Sequence, residues 1–253
     1  MARTLEAPAT EPLSSSKTAE LREVTRRFGD LVALERLSLS VQPGEIVAVV
    51  GPSGCGKSTL LELVARLQQP DEGSVAAQAA AYMPQRDLLL PWRSALANAA
   101  LALECSGVRP REARARARPL FERFGLTGFE AARAWELSGG MRQRVALART
   151  FLSGRALVLL DEPFASLDAI TRGSLQEWLA DALRAEPRTV VLVTHDVQEA
   201  LYLADRVVVL SPRPGHVVAE LAVPLARPRP RRQTVTSPEF TALEARALEA
   251  LGQ

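Results

Sequence analysis

The 253-residue sequence predicts an α/β fold built on a mostly parallel sheet. Three observations lead there. Nearly continuous apolar runs at Glu45–Val50 (EIVAVV), Ala156–Leu160 (ALVLL), Thr189–Thr194 (TVVLVT) and Arg206–Leu210 (RVVVL) read as strands buried on both faces. Segments with apolar residues at helical spacing separate them, and strands alternating with helices favour parallel connections. The first of these runs feeds a glycine-rich turn that opens a helix, GPSGCGKST from Gly51 to Thr59.

In chain order, residues 1–20 are rich in Ser, Thr and Pro and are expected to form a disordered tail without the apolar core of a secretory signal. From Leu21 to Val50 short strands are expected, with turns at FGD and QPGE. KSTLLELVARL then predicts a helix running from Lys57 towards Pro70. The arginine-rich stretch from Gly107 to Phe124 reads as the solvated face of a helix. ARPRPRRQ (Ala226–Gln233) is expected to be a Pro/Arg linker, and EFTALEARALEAL a short amphipathic terminal helix.

Composition narrows the function. A formal net charge of +2 is too small to predict a nucleic-acid partner. Cys55 and Cys105 do not form a disulfide framework, because Cys55 lies inside the glycine loop; a reducing, cytoplasmic setting fits. No stretch reaches the ~18 consecutive apolar residues of a membrane span, so any work at a membrane needs spans from elsewhere.

Gly51, Gly56, Lys57 and Ser58 satisfy G-x-x-x-x-G-K-[ST] in the required strand–turn–helix context. The loop residues Gly51, Pro52, Ser53, Gly54, Cys55, Gly56, Lys57, Ser58 and Thr59 thus form an expected ATP-binding cradle. Backbone N–H groups converge on phosphate oxygens there, aided by the helix N-terminus. Lys57 is expected to reach the β- and γ-phosphates and the Ser58 hydroxyl to ligate Mg²⁺. ALVLLDEP places Asp161 at a strand end, where it would hold Mg²⁺ through water, and Glu162 where it would polarise the attacking water. His195 ends VVLVTHD at the same sheet edge, within reach of a γ-phosphate; His216 has no such context and receives no role.

A second glycine pair opens another helix in WELSGGMRQRVALART. The Gly loop, LSGG, LLDEP, SLD and THD, in this order over about Leu21–Ala222, resemble the nucleotide-binding subunit of an ATP-binding cassette (ABC) transporter. The resemblance implies a P-loop nucleotide hydrolase with a small antiparallel β subdomain and a helical subdomain at about residues 86–150, followed by a C-terminal linker and helix over 223–253. Only eleven residues, SVAAQAAAYMP, separate Gly73 from Gln85, so the antiparallel part should be trimmed there.

The resemblance also implies a head-to-tail pair of identical chains around two ATP molecules. Ser138, Gly139 and Gly140 of one chain would contact the ATP held by the other, and Asp168 would cross the interface. It further implies that Phe28 stacks on adenine and that Gln85 touches Mg²⁺ and water and acts in catalysis with Glu162 and His195. RDLLLPW after Gln85 would dock a coupling helix of a transmembrane permease, or else pack its leucines within the chain's own helical subdomain.

Together with VTHDVQEALYLADRVVVLSPRPG, these motifs resemble importers of nitrate, sulfonates such as taurine, or thiamine-precursor pyrimidines. An extracytoplasmic solute-binding protein would be an indirect partner, and the chain would sit peripherally on the cytoplasmic face of the membrane. The alternative is a soluble, non-transport ATPase of the same type, as in iron–sulfur cluster assembly, which would lack the LLLPW dock. A DNA-repair ATPase would need a long coiled coil before LSGG, and a small-molecule kinase would not need LSGG.

Overall fold

A computed structural model describes residues 17–252. The expected disordered tail falls mostly outside the described residues, but its last residues do not belong to it. β1 (Ala19–Phe28) opens at Ala19, because Ala19 pairs with Val41 on one side and Ala77 on the other. β1 turns at Gly29–Asp30 into β2 (Leu31–Val41), and β4 (Glu72–Ala77) completes a three-stranded antiparallel sheet in the order β2-β1-β4.

The second sheet has six strands in the order β5-β6-β7-β3-β8-β9. β3 (Ile46–Val50), β5 (Ala80–Met83), β6 (Leu157–Asp161), β7 (Thr189–Thr194) and β8 (Arg206–Leu210) run parallel; β9 (Val217–Ala222) is antiparallel to β8. Every residue of β3, β6 and β7 is buried, which explains why their sequences are apolar throughout and do not alternate. Only Gln78 and Ala79 separate β4 from β5, so the chain passes between the sheets in two residues.

α1 (Lys57–Val64) stops earlier than the apolar spacing predicts. Arg66 adopts a left-handed φ of 59°, and its guanidinium donates to the Ala77 carbonyl at 2.6 Å, which turns the chain away towards β4. α2 (Ala95–Ala99), α3 (Leu101–Cys105), α4 (Pro110–Arg123) and α5 (Gly139–Phe151) form a helical region beside β5. On α4 the buried Ala113, Ala117 and Phe121 repeat at four-residue spacing, and its arginines face solvent. α6 (Ala169–Ala185) follows β6 and α7 (Val197–Leu203) follows β7.

The Pro/Arg segment is not a loose linker. Arg229 is buried, and its guanidinium donates to the carbonyls of Leu201, Tyr202 and Ala204 at 2.8–3.2 Å and of Val223 and Leu225 at 3.0–3.3 Å. The last-turn carbonyls of a helix lack intrahelical partners, so one arginine closes the end of α7 and fastens the C-terminal segment to it. The Tyr202 hydroxyl returns a bond to the Arg229 carbonyl at 2.9 Å. α8 (Arg231–Thr234) then leads to α9 (Pro238–Ala250), capped by Ser237 and packed through Phe240, Leu243 and Ala247. Replacing Arg229 with Met should lower the unfolding free energy by about 2–3 kcal/mol, because buried carbonyls lose their donor; urea denaturation measures it.

Candidate active site

The parallel register decides which side chains meet. Val50 pairs with Thr194, Asp161 with Val193 and Met83 with Leu160. The residues that follow these strand ends therefore share one edge of the sheet: Gly51 after β3, Glu162 after β6, His195 after β7 and Gln85 just beyond β5. This is where open α/β sheets bind ligands.

The glycine loop leaves β3 and wraps to α1. At Gly56, φ is 101°, and a Cβ would stand 2.5 Å from the Leu34 side chain and 2.8 Å from the Ala33 carbonyl. Only glycine satisfies both the dihedral and the space. Lys57 is buried, with Nζ donating to the carbonyls of Gly51 at 2.8 Å and Pro52 at 2.9 Å, so its ammonium sits inside the curl of the loop. Cys55 is buried under the loop, and burial pushes its thiol above the usual range. A cavity of about 360 Å³ opens over this loop. Phe28, Leu31 and Ala33 line one part; Ser53, Gly54, Gly56, Lys57, Ser58 and Thr59 line another, with Gln85, Glu162 and Arg213 completing the wall.

Glu162 lies at the centre of the polar side chains gathered at this edge. Its Oε2 lies 3.3 Å from Gln85 Nε2 and 3.3 Å from His195 Nδ1. Its backbone is held at a φ of 46°, costly for a residue with a Cβ, while its N–H donates to the Val193 carbonyl at 2.9 Å. Strain of this kind persists only where the surroundings over-determine it, and it clusters at functional sites. Asp161 is buried beneath. Burial raises its carboxyl above the usual range, the Ser58 hydroxyl opposes this, and Glu162 adds to it. The Tyr82 hydroxyl is pushed upward by burial and then by the Asp161 charge, a partnership that the sequence pattern did not reveal.

Ser138 caps α5, its hydroxyl accepting from the Met141 N–H at 3.2 Å. Gly139 and Gly140 differ in what they permit. A Cβ on Gly140 would come 3.0 Å from Leu167, so packing explains that glycine; nothing stands within 3.8 Å of a Cβ on Gly139. The Asp168 carboxylate caps α6 and accepts from the N–H groups of Ile170 and Thr171 at 3.1 and 3.0 Å, and these bonds, Thr171 first, lower its pKa. Neither Ser138, Gly139, Gly140 nor Asp168 lines the cavity over the glycine loop. A second cavity of about 560 Å³ joins Gly51, Pro52, Ser53 and His195 to Glu244 and Leu248 of α9 and to Leu251 just after it, and Ser138, Gly139, Gly140 and Asp168 are absent from its wall too.

The chain's similarity to known proteins agrees with this geometry. A family model described as ABC transporter matches residues 34–165. The chain belongs to the ABC transporter family. It is 48% identical over 194 residues to the formylaminopyrimidine import ATP-binding protein ThiZ of Halalkalibacterium halodurans, covering 76% of this chain and 78% of that one. It is 42% identical over 238 residues to the taurine import ATP-binding protein TauB of Burkholderia pseudomallei, covering 89% and 92%. A dimeric post-hydrolysis structure of the ATP-binding cassette MJ0796, bound to ADP and Pi, superposes with a TM-score of 0.75 at 28% identity, over 83% of this chain and 100% of that one.

This ABC ATPase carries a further buried acid behind His195 that sequence patterns did not single out. Glu199 lies in the first turn of α7; its Oε2 accepts from Gln176 at 3.3 Å and its Oε1 has no partner. Burial, then the charge of Asp196, pushes its carboxyl up to about 8. A folded-state value above the unfolded 4.5 means that folding takes up a proton between the two, so stability is fully present below about pH 4.5 and falls as pH rises towards about 8. Glu199→Gln should remove that decline, so thermal melts at pH 5 and pH 8 should differ less for the variant than for the parent.

Proposed function

We propose that this chain is the ATP-hydrolysing subunit of an importer, acting as a head-to-tail pair of identical chains on the cytoplasmic face of a membrane. One observation carries the reading: Glu162, Gln85 and His195 converge over the glycine loop, while the open amide face at Ser138 and Gly139 lies outside both cavities beside that loop. A second copy that presents its Ser138–Gly140 to this loop completes each site, and Asp168 meets the partner across the same face.

ATP lies along the cavity with adenine against Phe28 and its phosphates in the curl of residues 51–59. Glu162 orients and polarises the attacking water, Gln85 holds that water and His195 contacts the γ-phosphate. Ser58, Asp161 and Gln85 suit Mg²⁺, which favours hard oxygen donors and binds through few protein groups plus substrate phosphates. When bound, Mg²⁺ neutralises charge on the β- and γ-phosphate oxygens.

The segment after Gln85 favours a membrane partner over the soluble alternative. Leu89 is 8% exposed and packs into the helical region, whereas Leu88 is 59% and Trp92 70% exposed. Packing within the chain's own helical region thus holds for Leu89, while Leu88 and Trp92 stay exposed. Exposed apolar side chains beside the nucleotide site suit a coupling helix of a permease. No helix among the described residues is long and apolar enough to cross a membrane; the proposed permease supplies the spans. Nitrate, a sulfonate or a thiamine-precursor pyrimidine is the solute class, delivered by an extracytoplasmic binding protein.

Lys57→Ala should abolish measurable ATP binding by calorimetry, since the cradle loses its buried cation. Glu162→Gln should bind Mg-ATP, hydrolyse it at least about a hundredfold more slowly and accumulate as a dimer in light scattering. The same variant, used as bait with Mg-ATP on detergent-solubilised membranes, should retain a polytopic permease; a soluble scaffold in its place would refute the importer reading.

A further inference from the structure

The loop between β8 and β9, SPRPGH from Ser211 to His216, belongs to none of the roles above, yet it reaches the nucleotide cavity. It is tightly built. The Ser211 N–H donates to the His216 carbonyl at 3.0 Å, the Ser211 hydroxyl donates to the Pro214 carbonyl at 2.9 Å, and the His216 N–H donates to Ser211 Oγ at 3.0 Å. His216 Nδ1 lies 2.9 Å from the same oxygen. Gly215 bridges to β2, donating to the Ala33 carbonyl at 2.9 Å and accepting from the Glu35 N–H at 3.0 Å. A Cβ at Gly215 would fall 2.0 Å from the Cys55 carbonyl, so this loop rests directly on the glycine loop.

The rigid platform presents Arg213 to the cavity. Arg213 is exposed and, among the described residues, its guanidinium makes no ion pair or hydrogen bond, whereas Arg206 on the preceding strand is paired with Glu45 and Glu220. An unpaired cation on a fixed loop, facing a site for a polyanion, breaks no existing ion pair and orders no further backbone when the anion arrives.

Topology says which end of the nucleotide it meets. β8 flanks β3 on one side; β7 and β6, which lead to His195 and Glu162, flank it on the other. Arg213 therefore stands away from the γ-phosphate groups and on the side of Ala33, next to the turn that carries Phe28 and Leu31. Resting on the reading of this cavity as the ATP site, we propose that Arg213 is a nucleotide-binding residue whose guanidinium holds the α-phosphate of ATP. His216 and Ser211 position it through the fold of their loop and touch no nucleotide themselves.

Calorimetry with ADP and a non-hydrolysable ATP analogue tests this in the 253-residue chain. Arg213→Gln should weaken both nucleotides by the same factor, about tenfold, as expected for one charge-assisted contact partly exposed to water. KM for ATP should rise in parallel while kcat at saturation changes less than twofold. Arg213→Lys should recover part of the affinity, and binding to the parent should weaken more steeply with added salt than binding to Arg213→Gln.

Unchanged affinity in Arg213→Gln, with binding lost in Lys57→Ala, overturns the proposal and leaves the nucleotide cavity standing. A larger loss for the ATP analogue than for ADP overturns the α-phosphate assignment. If Arg213→Lys is as weak as Arg213→Gln, the loop and not the cation is responsible, and the proposal falls. If Lys57→Ala still binds nucleotide, the reading of the cavity falls and the proposal with it.

Discussion

Hydrogen bonding of β3 to β7, and of β7 to β6, aligns Val50 with Thr194 and Val193 with Asp161, and the rest of the site depends on that register. Side chains alternate across a strand, so a slip of one residue would send every core residue of these strands to the opposite face and every strand-end residue to a different depth. Both faces are close-packed, so such a slip would set side chains of the wrong size and shape against their neighbours. Core packing thus holds Glu162 against Gln85 and His195, although none of the three belongs to the core itself.

Several local costs fall close to where that register ends. Glu162 holds a left-handed backbone, Lys57 is buried without a carboxylate on its ammonium, and Glu199 leaves one oxygen without a partner. Arg172 shows a similar tension on α6: its Nη2 donates to the Leu167 carbonyl at 3.1 Å, its Nη1 lies 3.7 Å from Asp196, and its buried Nε is unpartnered. Incomplete satisfaction of this kind suits a site that changes contacts as substrate and partner arrive.

Helix α5 contacts both the strand-end residue Glu162 and the segment after Gln85. Its N-terminus carries Ser138 and Gly139. One turn on, Arg142 pairs with Asp87 at 2.9 Å and Gln143 donates to the Glu162 carbonyl at 3.4 Å. Further along, Arg149 donates to the carbonyls of Leu88 and Asp87 at 3.0 and 2.7 Å. The helix whose N-terminus is proposed to meet a second copy therefore also grips the segment that exposes Leu88 and Trp92. A shift of this helix on engaging partner-held ATP would be transmitted to the proposed permease dock through charged, directional contacts.

The sequence by itself determined the parallel sheet, the glycine loop and the strand-end residues Asp161, Glu162 and His195, because each depends on a local pattern: an unbroken apolar run followed by a short polar motif. The order of motifs also identified the family. Tertiary structure alone decided the pin formed by Arg229, the placement of Arg213 and the split between Leu88 and Leu89. An arginine in a proline-rich run has the same local pattern whether it is solvated or buried under five carbonyls, and only contacts from elsewhere in the chain separate the two. α1 ended early and β1 began early for the same reason: Arg66 answers to Ala77, and Ala19 to Val41 and Ala77, partners that no short window of sequence contains.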